Sequence, residues 1–137
     1  MLYRTDNAGT DWRIAIDGVA NPDRFHYYAM ATGVDGRLYL SGEAGLLYYS
    51  ADTGQSWVRI EDLYDGSLFG SVEALTDGRA LMVGSGGLVL ASDAEGNRQA
   101  WRHPSRASLS SAVQAANGDI WLVGMKGLMA LSEAKPL

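Results

Sequence analysis

Residues 35–57 read DGRLYLSGEAGLLYYSADTGQSW, and the first sixteen of them return twice further along the chain. DGRALMVGSGGLVLAS fills residues 77–92 and NGDIWLVGMKGLMALS fills residues 117–132, and the three align without an internal gap. Gly36, Gly78 and Gly118 mark the repeat at intervals of 42 and 40 residues.

In each copy a turn pair, Asp-Gly or Asn-Gly, precedes a short apolar run. A G-x-x-G turn (Gly42 to Gly45, Gly84 to Gly87, Gly124 to Gly127) then leads into a second apolar run that ends in Ser. Strands joined by so few residues can only be antiparallel, and the glycines and short runs leave no room for a helix. Another strand-like run lies upstream of each copy, at residues 25–32, 68–75 and 109–115. A fourth follows the Ser in two of them, at 57–60 and 101–103, and a matching run occupies 12–16. Each unit therefore reads as four strands, and a period near 40 residues is that of a propeller blade.

The connection after the third strand, SADTGQSW (50–57), has a close relative in TDNAGTDW (5–12) and a looser one in SDAEGNRQAW (92–101), which carries two extra residues before its Trp. A short acceptor side chain can cap the N–H groups of its own turn, Gly supplies positive φ, and Trp buries a large apolar area. The pattern of Ser/Thr, Asp/Asn two on, Gly four on and Trp seven on resembles the Asp-box of sialidase-like (BNR-type) propellers and of propellers similar to photosystem II assembly factors. On that resemblance Thr5, Asn7, Gly9, Trp12, Ser50, Asp52, Gly54, Trp57, Ser92, Gly96 and Trp101 are structural turn residues on a propeller rim. A catalytic acid has no reason to recur at the same place in successive units, so Asp52 reads as a turn residue.

The expected fold is all-β, a single domain 1–137: a partial blade at 1–20, blades at 21–62 and 63–104, and a partial blade at 105–137. The order is third and fourth strands, two complete blades, then first, second and third strands, which makes about three blades. Propellers close with four to eight, because only a full ring covers every sheet face. Either the chain is a piece of a longer propeller, or copies complete the ring, two giving about six blades, with the last three strands of one chain beside the Trp12 strand of another. Completion by copies is the expectation, with a third strand duplicated.

Composition limits the partners. With 47% hydrophobic and 20% charged residues and no cysteine, the chain suits one apolar core without disulfides. A net charge of −5, with Lys126 and Lys135 the only lysines, argues against nucleic acid or an anionic membrane surface. The apolar stretch at 119–131 is broken by Gly124, Lys126 and Gly127 and falls short of the roughly 20 residues of a membrane helix. The start, MLYRTDNAGTDW, lacks signal-peptide character, so the expected site of synthesis is the cytoplasm.

Catalytic readings find little support. A sialidase-like glycan hydrolase would carry Arg-Ile-Pro near its start, whereas Arg13-Ile14 is followed by Ala15. Arg24, Arg37 and Arg79 remain as candidate anion ligands, although Arg37 and Arg79 follow turn glycines and read first as solvated strand ends. His26 and His103 are the only histidines, too few for a His-rich zinc site, and a nucleophilic Ser has no G-x-S-x-G elbow. Gly70-Ser71 and Ser110-Ser111 read as turn or strand-edge hydroxyls. Glu61, Asp62 and Asp65 form an acidic loop without EF-hand spacing, and Gly84-Ser85-Gly86-Gly87 joins two strands instead of cradling phosphate. Arg24, Phe25, His26, Tyr27 and Tyr28 gather where a loop meets a strand, a composition enriched at protein interfaces, against the plainer reading that alternate members are core.

The expectation is thus a non-enzymatic, self-associating scaffold without cofactor or metal, contacting other proteins of an assembly such as a phage virion or tail. A glycan-binding or sialidase-like propeller fragment is the alternative.

Overall fold

The computed structural model describes residues 1–16, 21–33, 36–60, 64–72, 75–93 and 95–137. Asp35, first of the turn pairs, and Glu61 and Asp62 of the acidic loop lie outside the described residues. Apart from short 3₁₀ turns, the described elements are all strands. β1 (Leu2–Arg4) and β2 (Arg13–Ile16) form a hairpin. β3 (Tyr27–Thr32), β4 (Leu38–Gly42), β5 (Leu47–Ser50) and β6 (Val58–Ile60) form a second sheet in that order. β7 (Leu68–Val72), β8 (Ala80–Gly84), β9 (Leu88–Ser92) and β10 (Arg98–Arg102) form a third, and β11 (Leu109–Gln114), β12 (Ile120–Gly124) and β13 (Gly127–Ala130) a fourth. Every pairing is antiparallel and no sheet closes into a barrel.

The sequence repeat is also a repeat of hydrogen bonds. The amides of Glu43, Ser85 and Met125 donate to the carbonyls of His26, Ser67 and Ser108 at 2.9, 2.8 and 3.0 Å. The turn pairs are closed by Gly33 N–H to Arg37, Leu75 to Arg79 and Ala115 to Asp119 at 2.6, 2.7 and 2.8 Å. Each first strand carries a one-residue irregularity at the same place, skipping Tyr28, Phe69 and Ser110. A bulge of this kind bends the strand and increases its twist.

Side chains alternate across the sheets into three apolar seams. Leu40, Leu46 and Tyr48 face Leu2 and Ile16 of the hairpin. On the other side of the second sheet, Ala31, Tyr39 and Leu47 pack against Leu68, Ala80, Met82, Leu88 and Leu90. The reverse face of the third sheet, with Leu81, Val83, Val89 and Ala91, meets Leu109, Ala112, Leu122 and Met129 of the fourth. β8 and β9 are buried on both faces, which is why ALMV and LVLA read as continuous apolar runs instead of alternating ones.

The series of seams stops at both ends. Tyr3 and Ile14, paired across the hairpin, are 55% and 50% exposed. Val113 and Leu128, on the outer face of the fourth sheet, are 53% and 63% exposed. Val113 pairs with Trp121, Trp121 with Ala130, and Val123 with Leu128, so these five residues share that outer face.

Two features depart from the ungapped alignment. Leu40 pairs with Tyr48 and Met82 with Leu90, but Leu122 pairs with Met129 where the alignment would place Ala130. The fourth sheet turns tightly through Met125 and Lys126 between the paired Gly124 and Gly127, whereas the second and third use 3₁₀ turns at Glu43–Gly45 and Ser85–Gly87. A one-residue slip exchanges the faces, sending Met129 inward and Leu128 outward. Those longer turns are braced: Gly45 lies against the Tyr64 carbonyl, and Gly87 against His103. Among the described residues Gly127 has no such neighbour within 4 Å. The second departure is β14 (Lys135–Pro136), which leaves the fourth sheet and pairs with the outer edge of β10.

Gly45 and Gly86 both have positive φ, +75° and +62°, but only at Gly45 would a Cβ collide with backbone. Gly86→Ala should cost about 1–2 kcal/mol, the ordinary strain of a left-handed alanine. Gly45→Ala should cost more than that, because the Tyr64 carbonyl must also move. Urea unfolding of both variants measures the difference.

Candidate functional site

The turns at 5–12 and 50–57 are held by their own side chains. Ser50 Oγ accepts the Gly54 N–H at 2.7 Å and donates to Asp52 Oδ1 at 2.8 Å. Asp52 Oδ1 accepts the Gln55 and Ser56 N–H groups at 3.0 and 2.8 Å, and Oδ2 accepts the Ser56 hydroxyl at 2.6 Å. The first turn repeats the scheme with Thr5 Oγ1 accepting the Gly9 N–H at 2.9 Å and Asn7 Oδ1 accepting the Asp11 N–H at 2.9 Å. Consecutive left-handed residues, Ala8-Gly9 and Thr53-Gly54, give both turns one backbone path. Bonds from the Ser56 hydroxyl, the Ser56 amide and the Ser50 hydroxyl, in that order, hold the Asp52 carboxyl far below the usual carboxylate range. A carboxylate so committed has no proton to give near neutral pH, which is the opposite of what acid catalysis requires.

The third turn is built differently. Asp93, immediately after Ser92, is its centre: Oδ1 accepts the Glu95 and Asn97 N–H groups at 3.0 and 2.8 Å, and Oδ2 accepts Asn97 Nδ2 at 2.9 Å. Its backbone bonds, Asp93 N–H to Asn97 and Gly96 N–H to Asp93, follow the pattern of the 75–79 and 115–119 hairpins. Ser92 is buried, and Gly96 takes φ +88°. Trp101 pairs with Val89 as Ile60 pairs with Leu47, so it stands where Ile60 stands. Arg98, opposite Ser92, takes the place that Trp57 holds one residue before Val58. Trp101 packs into the seam with the fourth sheet, 5.9 Å from the Arg79 guanidinium. The two extra residues of SDAEGNRQAW were the signal for this, and Asp93 is the turn residue that sequence reasoning passed over.

The aromatic cluster at 24–28 is divided by strand alternation. Phe25 and Tyr27 pack into the first seam, with Tyr27 edge-on to Tyr48 at 6.2 Å. His26 and Tyr28 are exposed and stack at 6.3 Å, and Tyr28 meets Phe69 at 5.4 Å. Arg24 sits at φ +56° in a turn clasped by Asn21, whose side chain bonds both the N–H and the carbonyl of Phe25 at 3.1 and 2.8 Å. His26 N–H and then its ring hold the Glu43 carboxyl below its usual range. The exposed row is therefore His26, Tyr28 and Phe69, and Phe69 was not among the expected residues. Tyr28 and Phe69 are the residues skipped at successive bulges, a placement that periodicity does not reveal.

The remaining polar groups are engaged locally. His103 is buried between Ser105 Oγ at 2.8 Å from Nδ1 and Glu133 Oε2 at 3.2 Å from Nε2. The Ser105 N–H also reaches Nδ1 at 3.2 Å, so that nitrogen is the acceptor and Nε2–H faces Glu133. This arrangement fastens the segment before β14 to the end of β10. Arg79 bonds Asp77 and Gln99 at 2.8 and 3.2 Å, and Arg37 lies 5.9 Å over the Tyr49 ring. Ser71 Oγ bonds the Met30 carbonyl at 2.7 Å and Ser110 Oγ the Val123 carbonyl at 3.3 Å. Asp65 lines a cleft of about 730 Å³ between the second and third sheets, together with Tyr64, Ser85 and Arg102. Among the described residues no group of three His, Asp or Glu converges on one point, and no helix is long and apolar enough to cross a membrane. No protein-family model matches the chain, and no curated protein matches its sequence.

Asp52→Asn should preserve the turn, since Asn7 fills the same position, whereas Asp52→Ala should lower the melting temperature more. Because the folded carboxyl has a depressed pKa, the unfolded chain takes up its proton first as pH falls. That contribution is present above the ordinary Asp range, about pH 4, and is lost below it. Thermal unfolding from pH 7 to 2.5 should show a shallower acid decline in Asp52→Asn than in the unmodified protein.

Proposed function

We propose that the chain is a non-enzymatic structural module, an arc of propeller-type blades that self-associates to cover its two open ends and serves as a subunit of a protein assembly. The observation that carries this reading is the pair of exposed apolar end faces, Tyr3 and Ile14 at one end and Val113, Trp121, Val123 and Leu128 at the other. In the interior, each face of this kind is covered by the next sheet. Contiguous exposed apolar surface of this kind marks association sites in soluble proteins.

The placement of the first strands supports the blade reading. β7 lies alongside both β3 and β11, each the edge strand of its own sheet. Gly70 allows the β7 backbone to lie against that of Ser110, where a Cβ would collide. First strands gathered side by side with later strands fanning outward are what radially repeated sheets require. The outer turns then fall on the periphery, where their self-contained hydrogen bonding fits a structural role.

Light scattering coupled to size exclusion tests the proposal. At micromolar concentration the mass should be at least twice the 14.7 kDa of one chain. A folded, monodisperse species at the single-chain mass would overturn it, and saturable binding on a glycan array would replace it with a carbohydrate-binding role.

A further inference from the structure

The two open faces are unlike, and their positions in the repeat show how they differ. Tyr39 and Leu81 occupy the same place in β4 and β8, and both point toward the sheet that follows in the chain. Trp121 occupies that place in β12 and points to the open side. Tyr48 and Leu90, two residues before Ser50 and Ser92, point toward the sheet that precedes them. Tyr3, two residues before Thr5, holds the same position in the hairpin and lies on the open side there. One open face is thus the forward half of a seam and the other the backward half.

Trp12 makes the same point independently. It is the counterpart of Trp57, which is drawn into the first seam beside Leu2 and Ile16. Among the described residues no sheet covers Trp12, which is 62% exposed, with its indole N–H on the Gly9 carbonyl at 3.1 Å. Two of the three internal seams also carry a polar tie from one sheet to a turn of the next. Arg4 Nη1 donates to the Thr53 carbonyl at 2.7 Å, and Tyr39 Oη to the Asp93 carbonyl at 3.2 Å.

The geometry points to a head-to-tail contact between two copies of this chain, in which the outer face of β11–β13 covers the Tyr3, Trp12 and Ile14 face of the next copy. This rests on the self-association reading and specifies which surfaces meet. Trp121, in the place of Tyr39, then lies over the 5–12 turn of the neighbouring copy. Unlike faces make the contact heterologous, so copies close into a ring or continue as a filament according to the rotation between them.

Two exposed positions give the test, Ile14→Glu at one face and Leu128→Glu at the other, with circular dichroism and thermal melts confirming that each variant folds. A carboxylate buried without a partner should weaken self-association by at least about a hundredfold in either variant alone. An equimolar mixture should recover a complex of two chains, because Ile14→Glu keeps an intact β11–β13 face and Leu128→Glu keeps an intact hairpin face. If a variant does not fold, Tyr3→Glu or Val113→Glu replaces it at the same face. A mixture that stays monomeric, or one variant that associates as the unmodified chain does, overturns the head-to-tail contact. An unmodified chain that is itself monomeric overturns the self-association reading instead.

Discussion

Every sheet in this chain is apolar on both faces, and the rest of the structure follows from the need to cover them. A single-faced antiparallel sheet can leave one side in water, and its strands then alternate between polar and apolar residues. β8 and β9 do not alternate, since Ala80, Met82, Leu88 and Leu90 point one way and Leu81, Val83, Val89 and Ala91 the other. The third sheet is stable only between two neighbours, and those neighbours inherit the same demand on their outer faces. Stacking thus propagates from each sheet to the next.

Much of this order was legible in the sequence because it depends on periodicity and on turn chemistry, both local properties. The 42- and 40-residue intervals located the hairpins, and short acceptor side chains at Ser50 and Asp52 do bond N–H groups of their own turn, though the sequence did not say which ones. The third turn was misaligned because Trp101 is a conspicuous residue and drew the alignment to itself. Ladder register, which decides what faces what, assigns that place to Arg98. The slip at β13 was illegible for a related reason. GMKG and GEAG look alike as letters, but one is braced by a following segment and the other is not, and that support is tertiary.

The candidate site divides in the same way. A run of aromatic residues at 25–28 was visible, and alternation alone assigns Phe25 and Tyr27 to one face and His26 and Tyr28 to the other. What the sequence did not disclose is that Tyr28 falls on a bulge and meets Phe69 from the equivalent bulge of the next sheet. Bulges add a residue without leaving a compositional mark, so such a row emerges only when strands are laid beside one another. The His103 clasp on Glu133 joins residues 30 apart and was equally out of reach of spacing arguments.

The path of the chain after β13 separates edges that are protected from edges that stay available. An exposed strand edge is a standing invitation to pair with another chain, and proteins block it with short strands, charge or proline. β14 lays Lys135 and Pro136 along the outer edge of β10, and Pro136 brings a position with no N–H to offer. The same segment does not continue as a fourth strand beside β13, as β6 does beside β5 and β10 beside β9; Glu133 lies instead 3.2 Å from His103 at the end of β10. The chain therefore caps an edge in its interior while its last sheet keeps both a free edge and an apolar face. β14 thus blocks the edge of β10, whereas β6 and β13 each remain the last strand of their sheets among the described residues.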